Sequence, residues 1–172
     1  MGVSFIGIAS KINEEKLLAA IQHTFQVMNI NKSIVFNSEQ PFEAIVLRKG
    51  KDNIVDIYSG NLGTICTVSW NVYDRYLFKD IISGFFNLLY FDISETSMSH
   101  RFAWFSEGDE KHYTNISYKE DIMYISGPNF LNIKNTDDIF TGTFANAVKE
   151  YLPQSFGAML VSEEKIKRYE VI

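Results

Sequence analysis

Residues 33–70, SIVFNSEQPFEAIVLRKGKDNIVDIYSGNLGTICTVSW, decide the fold. Their apolar and polar residues alternate with a period near two, and four runs stand out: Ser33 to Asn37, Phe42 to Arg48, Ile54 to Ser59 and Thr64 to Trp70. Gln-Pro, Lys-Gly-Lys-Asp-Asn and Gly-Asn-Leu-Gly separate them, each a turn signal. Four short strands in succession predict an antiparallel meander. Such a sheet is stable once a helix covers its apolar face, and helical patterns flank it on both sides.

On the N-terminal side, Val3 to Ala9 reads as a strand, Ser10 to Asn13 as a turn, and Asn13 to Met28 as an amphipathic helix. Leu17, Leu18, Ile21, Phe25 and Met28 recur there at three- and four-residue steps, and Glu14 and Glu15 suit the dipole of the first turn. On the C-terminal side, Tyr73 to Tyr90 carries Leu77, Phe78, Ile81, Ile82, Phe85, Phe86, Leu88 and Leu89, a stripe wide enough to predict a central helix. Gly84 within it suggests close approach of another backbone. After the polar connector Ser94 to Ser99 comes a hairpin, Arg101 to Ser106 and Lys111 to Tyr118 around a four-residue loop Glu107-Gly-Asp-Glu110. That loop sets Phe105 opposite His112 and Trp104 opposite Tyr113. Ile122 to Ser126 reads as a strand and Asp137 to Tyr151 as a third helix, ended by Pro153. Phe156 to Val161 reads as a closing strand, and Glu163 to Ile172 as a short helix or loose strand. The expectation is one α+β domain over residues 1–172, an antiparallel sheet of short strands with about three amphipathic helices packed on it.

Composition sets the exclusions. The 172 residues carry 46% hydrophobic and 22% charged residues, a single cysteine, and 16 Lys and Arg against 21 Asp and Glu, for a net charge of −5. The bases are scattered apart from Arg48, Lys49, Lys51 and Lys165, Lys167, Arg168, so no cationic face is predicted for nucleic acid. The longest uncharged run, Ile57 to Tyr73, is interrupted by Ser, Gly, Asn and Thr, which predicts no membrane span. The apolar start has no basic leader, which predicts a cytoplasmic protein.

The search for chemistry is largely negative. No Gly-x-Ser-x-Gly, Gly-x-Gly-x-x-Gly or Gly-x-x-x-x-Gly-Lys occurs. Cys66 lies mid-strand and reads as a buried apolar side chain. His100, Glu107, Asp109 and His112 are close in sequence, but His100 stands five residues along the ladder from the position facing His112, roughly 17 Å at 3.3 Å per residue, so no metal site is expected. The pairs Glu14–Glu15, Asp137–Asp138 and Glu163–Glu164 are adjacent and diverge, unlike a catalytic dyad. No cofactor and no enzymatic activity are predicted.

What remains is a surface. Between Asp92 and Asp121, seven acids (Asp92, Glu95, Glu107, Asp109, Glu110, Glu120, Asp121) face three bases (Arg101, Lys111, Lys119), a local balance of −4. The hairpin in this segment sets Trp104, Phe105, His112 and Tyr113 beside Glu107, Asp109 and Glu110, and aromatics beside carboxylates suit an interface with a basic partner. Residues 99–172, with His100-Arg-Phe-Ala-Trp-Phe-Ser, the acidic turn Glu107-Gly-Asp-Glu, Ile125-Ser-Gly-Pro, a late amphipathic helix and Phe156-Gly-Ala-Met-Leu-Val, resemble small acidic α+β immunity proteins of bacterial polymorphic or contact-delivered toxin systems. The resemblance implies stoichiometric binding of a toxin domain through acidic side chains. The alternative is a small-ligand binder or enzyme using a pocket between the central helix and the sheet.

Overall fold

The computed structural model describes residues 3–47, 49–50, 52–76, 83–117, 119–120, 122–128 and 139–172. Among the described residues nine strands build one sheet: β1 (Ser4–Ser10), β2 (Ile34–Pro41), β3 (Ile54–Gly60), β4 (Gly63–Val68), β5 (Leu88–Ser94), β6 (Ser99–Ser106), β7 (Asp109–Ser117), β8 (Ile122–Ser126) and β9 (Lys165–Val171). Their order across the sheet is β2-β9-β3-β4-β1-β5-β6-β7-β8, with every pair antiparallel.

Helices are few among the described residues. They are α1 (Glu14–Val27), α2 (Trp70–Tyr76), α3 (Ala145–Val148) and α4 (Phe156–Leu160), with 3-10 turns at Phe42–Val46 and Lys149–Tyr151 and a π-turn at Ile139–Phe144. The expected α+β fold, an antiparallel sheet of short strands with about three amphipathic helices packed on it, is therefore corrected to a sheet-dominated molecule in which, among the described residues, only α1 is long.

Both faces of the sheet are covered, which explains several departures from the sequence reading. One core gathers Phe5, Phe91, Phe102 and Ile116 of the sheet under Phe42, Ile45, Phe144 and Phe156. Phe144 is its hub, with edge-on ring contacts at 5.0 Å to Phe5, 5.1 Å to Phe91 and 5.1 Å to Phe156. The opposite core gathers Ile8, Val55, Ile57, Cys66 and Tyr90 with Leu17, Ile21 and Phe25 of α1 and Val72 of α2. A strand buried on both faces reads as an unbroken apolar run, and a short run of that kind has no period to separate it from a helix.

Leu88, Leu89 and Tyr90 accordingly begin β5 and do not end a central helix. Of the residues expected in that helix, Leu77, Phe78, Ile81 and Ile82 lie outside the described residues. Phe42–Val46 is a 3-10 turn rather than a strand, burying Phe42, Ala44, Ile45 and Val46 instead of alternate positions. Phe156–Leu160 is helical because Ser155 caps it, its hydroxyl accepting from the Ala158 N–H, while Phe156 and Met159 share the buried side. The simple meander fails as well: β9 lies between β2 and β3, pairing Ile34 with Val171 and Val55 with Tyr169. Helix α1 follows the sequence closely, with Asn13 as its cap accepting from the Lys16 N–H.

Candidate functional site

The aromatic hairpin lies at one side of the sheet, and its turn is tighter than the sequence suggested. Glu107 and Gly108 have φ of 55° and 82°, the left-handed values of a two-residue hairpin turn. Ser106 then faces Asp109, and Phe105 faces Glu110. A register shift after Trp104 inserts Lys111 as an extra residue, so Trp104 faces His112 and Ala103 faces Tyr113. The expected pairs Phe105–His112 and Trp104–Tyr113 are therefore not formed.

The seven candidate residues divide by depth. Glu107, Asp109 and Glu110 are exposed at the turn, with Lys111 Nζ 3.0 Å from Asp109 Oδ2. Trp104 and Tyr113 are half-buried on opposite cores. Phe105 is 6% exposed and His112 2%. His112 Nε2 lies 2.6 Å from Thr114 Oγ1, and burial holds the ring below its ordinary pKa against the carbonyl of Pro128 and the charge of Glu110. Beyond β7, strand β8 ends the sheet among the described residues. It has no charged residue, and it exposes Ile122, Met123 and, at 55%, Tyr124. Glu120, exposed, sits at the turn that leads into it.

Two charged clusters lie elsewhere. In the first, fully buried Asp56 receives Arg168 in a two-point bond, Nε to Oδ1 and Nη2 to Oδ2 at 2.8 Å each, and Lys49 Nζ lies 3.2 Å from its Oδ2. The Lys49 ammonium also donates to the carbonyls of Ala44, Ile45 and Leu47 at 3.2–3.3 Å, capping the carbonyl end of the Phe42–Val46 turn. Burial pushes the Lys49 pKa down, with Asp56 opposing. The bond to Asp56 holds Arg168 above its ordinary value. Both Asp56 oxygens and the Lys49 ammonium are engaged internally, so the cluster locks β3 to β9 and to the Phe42–Val46 turn. Lys49 also lines the cleft beside the second cluster, with its ammonium already engaged by Asp56 and three carbonyls.

The second cluster borders an open cleft of about 430 Å³ at the ends of β1, β4 and β5, lined by Ser4, Trp70, Asp92, Ser94, Ser99 and Arg101 among others. Arg101 Nη1 stands 3.8 Å from Asp92 Oδ2. Burial raises the Asp92 pKa, with Arg101 opposing. Sequence reasoning missed this group. Asp92 and Arg101 counted there only toward a charge balance, and Trp70 counted as the end of a strand. The pocket expected between a central helix and the sheet involves residues 77–82, which lie outside the described residues.

The chain matches no family model, no curated protein and no solved structure. Its chemistry is therefore read from geometry alone. Among the described residues no group of three His, Cys, Asp or Glu side chains is close enough to hold a metal ion. Cys66 is buried mid-strand with its thiol pKa pushed up by that burial, the state of an inert thiol. No described helix is long and apolar enough to cross a membrane.

Proposed function

We propose that this chain is a non-enzymatic, cytoplasmic binding protein that neutralises a toxin domain with a basic surface, docking it on the β6–β7–β8 side of the sheet. The observation that carries the reading is the edge strand β8. A strand whose outer side pairs with no described strand, with no charge and with exposed Ile122, Met123 and Tyr124, is a template for another chain's strand unless something covers it. Acids flank it at both ends, Glu120 at one turn and Glu107, Asp109 and Glu110 at the other. An apolar strip rimmed by carboxylates suits a partner strand or loop carrying Lys and Arg.

The test is binding to the purified product of the adjacent gene, followed by calorimetry across salt concentrations. Replacing Glu107, Asp109 and Glu110 together by Lys is expected to weaken binding and flatten its salt dependence, because a repulsive rim replaces an attractive one. Tyr124→Asp, at an exposed position, is expected to weaken binding through the edge itself. Unchanged affinity and salt dependence in both variants would remove this side of the sheet as the docking surface.

A further inference from the structure

Where β1 outruns β4, the sheet has a notch. β1 pairs with β5 from Ser4 onward, but its pairing with β4 begins only at Ile6–Val68, because the chain leaves the sheet after Val68 and enters α2 at Trp70. The register aligns polar residues along this notch. Ser4 faces Ser94, Ile6 faces Asp92, Asp92 faces Arg101 and Ser94 faces Ser99, and residues directly opposite one another share a face of the sheet. The cleft of about 430 Å³ is within the range of small-molecule sites.

Asp92 is the informative group. Its side chain is about four-fifths covered, with 21% exposed, yet among the described residues it accepts no hydrogen bond, and Arg101 at 3.8 Å is beyond bonding distance. A carboxylate largely withdrawn from water and left without donors costs stability. A bound molecule that supplies donors offsets that cost. The surroundings choose the molecule. Lys49 also lines the cleft, but its ammonium is engaged by Asp56 and three carbonyls. An anion meets Asp92, a cation meets Arg101 and Lys49, and a hydrocarbon leaves the charged groups dry. A hydroxyl both donates and accepts, so neighbouring hydroxyls can give protons to Asp92 and take them from Arg101, with Ser4, Ser94 and Ser99 able to do either.

One wall is aromatic. Trp70 is 53% exposed, and Tyr73 lies against it at 5.4 Å between ring centroids; Tyr73 in turn stacks on Tyr90 at 6.1 Å. Of this column Trp70 lines the cleft together with the polar groups, and an exposed indole is a flat apolar surface that suits the C–H face of a pyranose ring. We propose that the notch between β1, β5, β6 and α2 binds a neutral mono- or disaccharide, with Asp92 and Arg101 sharing its hydroxyls and Trp70 stacking on its ring. The site is separate from the β8 edge, and neither reading depends on the other.

The test follows tryptophan fluorescence of the full chain, with Trp104→Phe to isolate the signal of Trp70. The probes are glucose, galactose, N-acetylglucosamine and maltose, taken to about 10 mM, ten times a millimolar Kd. Glucose 6-phosphate and glucosamine, and N-acetylglucosamine 6-phosphate, serve as charged analogues on the same rings. At least one neutral sugar is expected to give a saturable change, its charged analogues to bind more weakly, and Asp92→Asn to weaken it about tenfold while the thermal melt stays in place. The proposal is overturned by the absence of a saturable change with every neutral sugar. It is equally overturned by a phosphosugar that binds more tightly than its parent, or by binding that Asp92→Asn leaves unaltered.

Discussion

Asp56 and Asp92 are two carboxylates on one sheet, each beside an arginine, and their surroundings make them opposites. Asp56 is fully buried and saturated by Arg168 and Lys49, whereas Asp92 is partly wet and touches Arg101 only at 3.8 Å. His100 extends the contrast to its limit. It is 1% exposed, neither ring nitrogen has a hydrogen-bond partner among the described residues, and burial lowers its pKa to about 4. A buried polar group with every partner holds elements together, while one lacking partners subtracts from stability and is available to something else.

The sharpest way to break the comparison is at Asp56. Asp56→Ala leaves Lys49 and Arg168 facing each other in the interior, and urea unfolding is expected to show a loss of about 3–5 kcal/mol. Next is acid. His100 is held neutral in the fold with a pKa near 4 against 6.5 unfolded, so the unfolded state binds the extra proton first. Stability therefore falls as pH drops from 6.5 toward 4 and levels off below. The loss is at most about 3 kcal/mol, less where water reaches the ring. His112 moves the same way. Urea titrations at successive pH values check this, and His100→Phe is expected to remove most of the slope.

Asp92 is expected to behave in reverse. Its raised folded pKa means that protonation favours the fold, so Asp92→Asn at pH 7 leaves stability unchanged or higher by less than about 1 kcal/mol. A drop comparable to that of Asp56→Ala would erase the distinction between the two aspartates. The smallest effect is at the exposed pair Lys165–Glu39, 3.6 Å apart, where Glu39→Ala is expected to shift stability by no more than a few tenths of a kcal/mol.

Legibility in the sequence followed how local each signal was. The cap at Asn13 and the stripe Leu17, Ile21, Phe25 locate α1, and Ile122 to Ser126 is the strand that was expected, because their periods and punctuation are self-contained. The runs 42–46, 88–90 and 156–160 misled because apolar residues at nearly every position record burial without recording shape. At the site, the acids of the Glu107–Glu110 turn stood out as consecutive charges. The cleft did not, since Ser4, Trp70 and Asp92 meet only after β1 has paired with β5, and no spacing along the chain encodes that register. The depth of Phe105 and His112 was hidden for the same reason, because one covered face was anticipated where both are covered.

The position of β9 has a consequence for assembly on the ribosome. Strand β2 must wait for residues 165–171 before it gains a neighbour, more than a hundred residues after it emerges, and β3 keeps one side open for the same interval. Pairings of such long sequence separation slow folding and leave nascent strands available to wrong partners. A substitution that weakens β9 would therefore show first as aggregation and low yield of freshly made chains, before it showed as a lower melting temperature of those that succeed.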